Sequence, residues 1–108
     1  MFIQTQKTPN PNSLKFLPGI QISNIEPVEF LNKDQTDNYL IKDILSIDGV
    51  ESVFLGSDFI SINKIETKQW EDIKHIVITL INEYYESGKH SVIENNLDEE
   101  KLEKISLI

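Results

Sequence analysis

All four prolines of this chain fall within its first 27 residues, at Pro9, Pro11, Pro18 and Pro27. A proline fixes φ, supplies no amide hydrogen and pushes the residue before it towards extended geometry. The N-terminal quarter therefore disfavours helix and is expected to be built of strands and turns. Residues 2–6 (Phe2-Ile3-Gln4-Thr5-Gln6) make a first strand candidate. Leu14-Lys15-Phe16 makes a second, closed by Pro18-Gly19. Thr8-Pro9-Asn10-Pro11-Asn12 between them predicts a wide hairpin loop. A third strand is expected near the end of the weakly alternating stretch 20–30.

Beyond Pro27 the apolar spacing changes. Residues 32–37 are polar, and Asp34, Thr36 or Asp37 is the expected helix cap. Leu40, Ile41, Ile44, Leu45 and Ile47 follow at helical spacing, ended by Asp48-Gly49. Residues 50–55 and 59–62 are rich in β-branched and aromatic side chains, around Gly56-Ser57-Asp58. They predict a hairpin with Ile60 and Ile62 on one face and Phe59, Ser61 and Asn63 on the other. A second helix is expected from Thr67, with Trp70, Ile73, Ile76, Val77, Leu80, Ile81, Tyr84 and Tyr85 as its apolar stripe and Gly88 as its stop. The five phenylalanines, Phe2, Phe16, Phe30, Phe54 and Phe59, are expected in the core, with Trp70, Tyr84 and Tyr85 in it or hydrogen-bonded at its edge. The order β-β-(β)-α-β-β-α requires no parallel crossover. It predicts an α+β fold, a small mostly antiparallel sheet with both helices packed on one face.

Composition narrows the function. At 108 residues the chain holds one core of ordinary domain size. A formal net charge of -8 argues against nucleic acid and against an anionic membrane surface. No apolar run approaches the roughly 20 residues that cross a bilayer. The opening residues lack a secretory or transit pattern, so the cytoplasm is the expected compartment. With no cysteine there is no disulfide, thiolate metal site or iron–sulfur ligation by this chain. His75 and His90 are expected in solvent, and neither belongs to a nucleophile motif. Asp98-Glu99-Glu100 lacks the ligand spacing of a calcium loop and reads as a solvated acidic stretch. No glycine-rich phosphate loop exists. The residues point to a non-enzyme.

The loop Thr8-Pro9-Asn10-Pro11-Asn12-Ser13 is more elaborate than a turn requires. Its asparagines can bond their own backbone, which would make it structural. A rigid polar loop also loses little entropy on binding, which would make it a recognition element. Both readings stand at this level. The tail combines an acidic stretch with apolar Ile105-Ser106-Leu107-Ile108, the pattern of a linker leading into a further domain.

The opening block Phe2-Ile3-Gln4-Thr5-Gln6, followed by Thr8-Pro9-Asn10-Pro11-Asn12-Ser13-Leu14-Lys15-Phe16, closely resembles the start of Nfu-type NifU-like proteins. Ile47-Asp48-Gly49-Val50-Glu51-Ser52-Val53-Phe54-Leu55-Gly56, continued by Ser57-Asp58-Phe59-Ile60-Ser61-Ile62-Asn63-Lys64, is similar to that family's second block. The resemblance covers residues 1–92. It implies the N-terminal α+β domain of a protein that assembles or carries iron–sulfur clusters. It also implies that residues 93–108 are an acidic interdomain linker with the start of an absent C-terminal NifU-like domain. In the family that absent domain holds a [4Fe-4S] cluster through a Cys-x-x-Cys motif shared by two chains, so no cofactor is expected here. The implied partners are iron–sulfur assembly proteins, apoprotein clients and the missing domain, and the fragment is expected to be a monomer. As a hypothesis, Thr8, Pro9, Asn10, Pro11 and Asn12, together with Gly56, Ser57 and Asp58, form a partner-binding surface. The alternative is a free-standing regulatory α+β domain that binds a small ligand.

Overall fold

The computed structural model describes residues 2–87 and Ile93. Five strands form one sheet: β1 (Gln4–Lys7), β2 (Ser13–Leu17), β3 (Val28–Phe30), β4 (Val50–Leu55) and β5 (Ile60–Lys64). Two helices, α1 (Tyr39–Leu45) and α2 (Trp70–Glu86), interrupt them, and a 3-10 turn at Lys33–Gln35 precedes α1. The strand order is β1-β2-β5-β4-β3, and each of its pairs is antiparallel. The α+β architecture is the expected one. No helix of the described residues is long and apolar enough to cross a membrane.

Register sorts the side chains. Thr5, Phe16, Ile60, Leu55 and Val28 form one cross-sheet row on the helix side. Lys7, Leu14, Ile62, Val53 and Phe30 form the next. These rows meet Leu40, Ile41 and Ile44 of α1 and Ile73, Val77 and Ile81 of α2 in a single core. Tyr84 closes the core at its edge, where its hydroxyl accepts from Asn38 Nδ2 at 2.8 Å. Ile93 bridges Ser23 and is buried in the same core.

Several expectations need correction. The cap of α1 is Asn38, whose Oδ1 accepts from Ile41 N at 3.1 Å. Asp34, one of the three expected caps, lies in the 3-10 turn that Asn32 caps. Helix α1 stops at Leu45, and Gly49 (φ 96°) serves the following turn rather than the helix end. Helix α2 starts at Trp70, not Thr67, because Ile65 N is held by Gly49 O and Lys68 N by Ile65 O in a turn. Ile76, expected in the stripe, is exposed. Only Phe16 and Phe30 are core phenylalanines; Phe2 is exposed. Phe54 shares the outer face with Lys15 and Ser61, where it stacks on Phe59 with ring centroids 6.0 Å apart. His75 is exposed, as expected. Gly88, His90 and the acidic and apolar tail lie outside the described residues.

Candidate functional site

The loop between β1 and β2 is held from within and from below. Thr8 Oγ1 donates to Asn10 O at 2.9 Å and accepts from Asn10 N at 3.2 Å. Asn10 Oδ1 accepts from Asn12 N at 2.9 Å, and Ser13 N donates to Asn10 O at 3.0 Å. Such bonds let short polar side chains replace a backbone ladder in a turn. Three further bonds tie the loop to the fold. Lys64 N donates to Asn12 O at 2.8 Å, and Lys64 Nζ donates to Asn12 Oδ1 at 3.0 Å. Trp70 Nε1 donates to Pro11 O at 3.0 Å. Asn12 and Pro11 therefore tie the loop to the sheet and to α2, Asn10 braces it from within, and Pro9, Asn10 and Pro11 are exposed.

Beside the loop runs a groove of about 430 Å³ between β1 and the start of α2. It exists because the helices do not reach across β1. Thr5 and Lys7 sit on the helix side of the sheet by register, yet Thr5 is only half-buried and Lys7 is exposed. Trp70 and Lys74, one helical turn apart, form the opposite wall, and Leu14 lies between. Sequence reasoning missed Thr5, Lys7, Lys74 and Lys64 here. The signals were present: the alternation of β5 puts Lys64 inward, and the spacing of Trp70 and Lys74 puts both on one helix face.

The second expected segment is elsewhere. Residues 8–12 adjoin the sheet end where Ser13 pairs with Asn63. Gly56, Ser57 and Asp58 adjoin the opposite end, where Phe16 pairs with Ile60, about 10 Å further along β2. There Ser57 O accepts from Ile22 N at 2.7 Å and Ser23 N at 3.2 Å. Gly56 is buried, and a Cβ on it would stand 2.4 Å from the Phe59 ring. The structure thus brings Thr8, Pro9, Asn10, Pro11 and Asn12 together and sets Gly56, Ser57 and Asp58 apart from them.

The second sequence block is organised around Gly49. Its carbonyl accepts from Ile65 N at 2.8 Å, and Lys68 lies across it to reach Asp48 at 2.7 Å. Hydrogen bonding to Asp48, and then its charge, raises the pKa of Lys68 above 10.5. No group of three or more His, Asp or Glu among the described residues could hold a metal ion. An iron–sulfur cluster needs thiolates, and the chain has no cysteine to supply one.

Comparison with known proteins gives this geometry its context. The family model described as "Scaffold protein Nfu/NifU N terminal" matches residues 3–88. The chain is 41% identical over 90 residues to "NifU-like protein 4, mitochondrial" of Arabidopsis thaliana, covering 82% of this chain and 32% of that protein. It is 43% identical over 115 residues to "NFU1 iron-sulfur cluster scaffold homolog, mitochondrial" of Drosophila willistoni, covering 95% of this chain and 37% of that one. The solution structure of a NifU-like protein from Saccharomyces cerevisiae superposes with a TM-score of 0.67 at 34% identity, over 76% of each chain. The crystal structure of SAV1430 from Staphylococcus aureus gives 0.67 at 29% identity, over 75% of this chain and 99% of that one. These curated relatives are named mitochondrial, which overturns the expectation of a cytoplasmic protein. That expectation rested only on the lack of a recognisable leader in the opening residues. The chain spans about a third of the length of these curated relatives. With a family model matched over most of its length and relatives above 40% identity, the chain belongs to the Nfu/NifU N-terminal family of scaffold proteins.

Proposed function

We propose that this chain is the non-catalytic, partner-docking domain of a protein that assembles or carries iron–sulfur clusters. One observation carries the reading: a family domain of a scaffold protein that contains no thiolate must contribute something other than cluster ligands. The cluster, a [4Fe-4S] centre, belongs to a Cys-x-x-Cys domain downstream of an interdomain linker that starts after Ile93, which is itself buried in the core. The docked partners are apoprotein clients or other assembly proteins, and the chain by itself is a monomer. The tethered loop at residues 8–12 supports this reading, because a surface already held in shape loses little freedom when a partner arrives. The Gly56-Ser57-Asp58 turn remains a separate docking candidate at the other end of the sheet.

The test compares the whole cluster-bearing protein with a version lacking residues 1–93. Equal cluster loading with slower transfer to an apo-acceptor supports docking. Equal transfer rates overturn it. A second reading, a small-ligand-binding domain that acts without a cluster domain, draws on the 99% coverage of the S. aureus chain. It predicts a thermal shift with a small molecule, because a ligand that binds only the folded state stabilises it.

A further inference from the structure

We propose that the free edge of β1, with the adjoining groove, takes up an extended acidic–apolar segment of a partner protein as a sixth strand. This rests on the docking reading and deepens it by naming the surface and its chemistry. Among the described residues, strand β1 lies at the end of the sheet and pairs with β2 alone. Its outward N–H and C=O groups are a template for strand addition, which supplies affinity through the backbone and specificity through alternate side chains. The other edge, β3, is shorter at three residues and is preceded by Pro27.

Side chains on the helix face of an added strand would enter the groove beside Thr5 and Lys7. They meet Leu14 and Trp70 as apolar surface and Lys7 and Lys74 as cations. Two lysines and no carboxylate line this groove, in a chain of formal charge -8. Neither lysine has an ion-pair partner among the described residues, where the one salt bridge joins Lys68 to Asp48. The complement is a segment with a carboxylate and an apolar side chain on the same face, two residues apart. A second copy offers Gln4–Lys7, which has a lysine and no carboxylate, so the rim would stay unpaired. A nucleic acid is repelled by the chain's overall charge.

Trp70 is the sole tryptophan, so its fluorescence reports the groove directly. The probe is the acetylated, amidated peptide Asp-Ser-Val-Ser-Asp-Ser-Val, titrated into the full chain, with a lysine-for-aspartate peptide as control. Saturable, salt-weakened change with the acidic peptide is expected. Affinity should fall roughly tenfold or more in K7E/K74E, since rim charges act on encounter and pairing. Both lysines are exposed, and K7Q/K74Q serves if the double reversal alters the fold. An unmoved Trp70 signal, an equal response to the lysine peptide, or undiminished binding by either variant overturns the assignment. So does a concentration-dependent dimer that excludes the peptide. In the whole protein the two readings separate. If loss of residues 1–93 slows transfer and K7E/K74E does not, the groove falls and docking stands. If neither slows transfer, docking falls with it.

Discussion

The ammonium of Lys64 donates to Asn12 Oδ1 at 3.0 Å from an inward position of β5 that is only 7% exposed. A longer hydrogen bond runs to Ile65 O at 3.4 Å, and the Trp70 ring centroid lies 5.7 Å away. The loop thus supplies the acceptor that makes a buried cation tolerable. Asn12→Ala leaves that charge short of a partner and should cost about 1–3 kcal/mol, whereas Asn10→Ala removes only a local turn bond worth about 0.5–1 kcal/mol. Urea unfolding of the two variants gives the comparison. Equal costs would mean that Lys64 does not depend on Asn12. In a Lys64→Met background the cost of Asn12→Ala should shrink, since the two residues act as one unit.

The two glycines of the second block should fail for different reasons. Gly49 has φ 96°, and a Cβ there would stand 2.4 Å from Lys68 Cγ. Gly49→Ala combines left-handed strain of about 1–2 kcal/mol with displacement of Lys68 from Asp48. Gly56→Ala has no such backbone strain, but its methyl meets the Phe59 ring, and that ring stacks on Phe54. Near-ultraviolet circular dichroism should therefore change for Gly56→Ala and stay unchanged for Gly49→Ala. Thermal melts should show both destabilised.

Local periodicity made most of this fold readable. The alternation through Ile60 and Ile62, and the stepping of Ile73, Val77, Ile81 and Tyr84, need only one strand or one helix to be interpreted. What escaped depends on contacts distant in sequence. Asp34, Thr36 and Asp37 are the caps expected from sequence, whereas the cap is Asn38, whose side chain also donates to the Tyr84 hydroxyl, 46 residues away. Phe54 was expected inside because it is large and apolar, but Val53 and Leu55 on either side of it are buried, so it faces outward. The peculiarity of residues 8–12 was visible. The groove beside them was not, because it is set by how far α2 reaches across the sheet.

Tyr84 and Tyr85 should make the fold sensitive to alkali. Burial raises both phenols above their ordinary 10.0, opposed for Tyr84 by the Asn38 hydrogen bond and reinforced for Tyr85 by neighbouring Tyr84. A raised folded-state pKa means the folded chain keeps its proton where the unfolded chain has lost it. Stability is then fully present below pH 10 and declines as pH rises from there towards the folded values. Each tyrosine contributes up to about 1.4 kcal/mol per pH unit in that window. Denaturant unfolding from pH 8 to 11 should show a plateau and then a fall, and Tyr85→Phe should flatten the fall. An unchanged alkaline slope in that variant would place the sensitivity elsewhere.

Ile93 is the described residue furthest along the chain, and its single-residue bridge looks too slight to matter. Ile93 N donates to Ile22 O at 2.7 Å and Asn24 N to Ile93 O at 3.3 Å, which is little backbone pairing. The side chain is another matter, since it is 2% exposed within the core cluster. Removing three buried carbons leaves a cavity, so Ile93→Ala should cost about 2–4 kcal/mol and Ile93→Val about 0.5–1.5. Ile76 is the internal control, because it is the same residue type at 37% exposure on α2. Ile76→Ala should cost under about 1 kcal/mol, as helix propensity offsets the little burial it loses. Urea midpoints for the three variants decide the matter. If Ile93→Ala matched Ile76→Ala, the core would close without Ile93 and the domain would end with α2. The larger cost would carry the cooperative unit past α2 to Ile93.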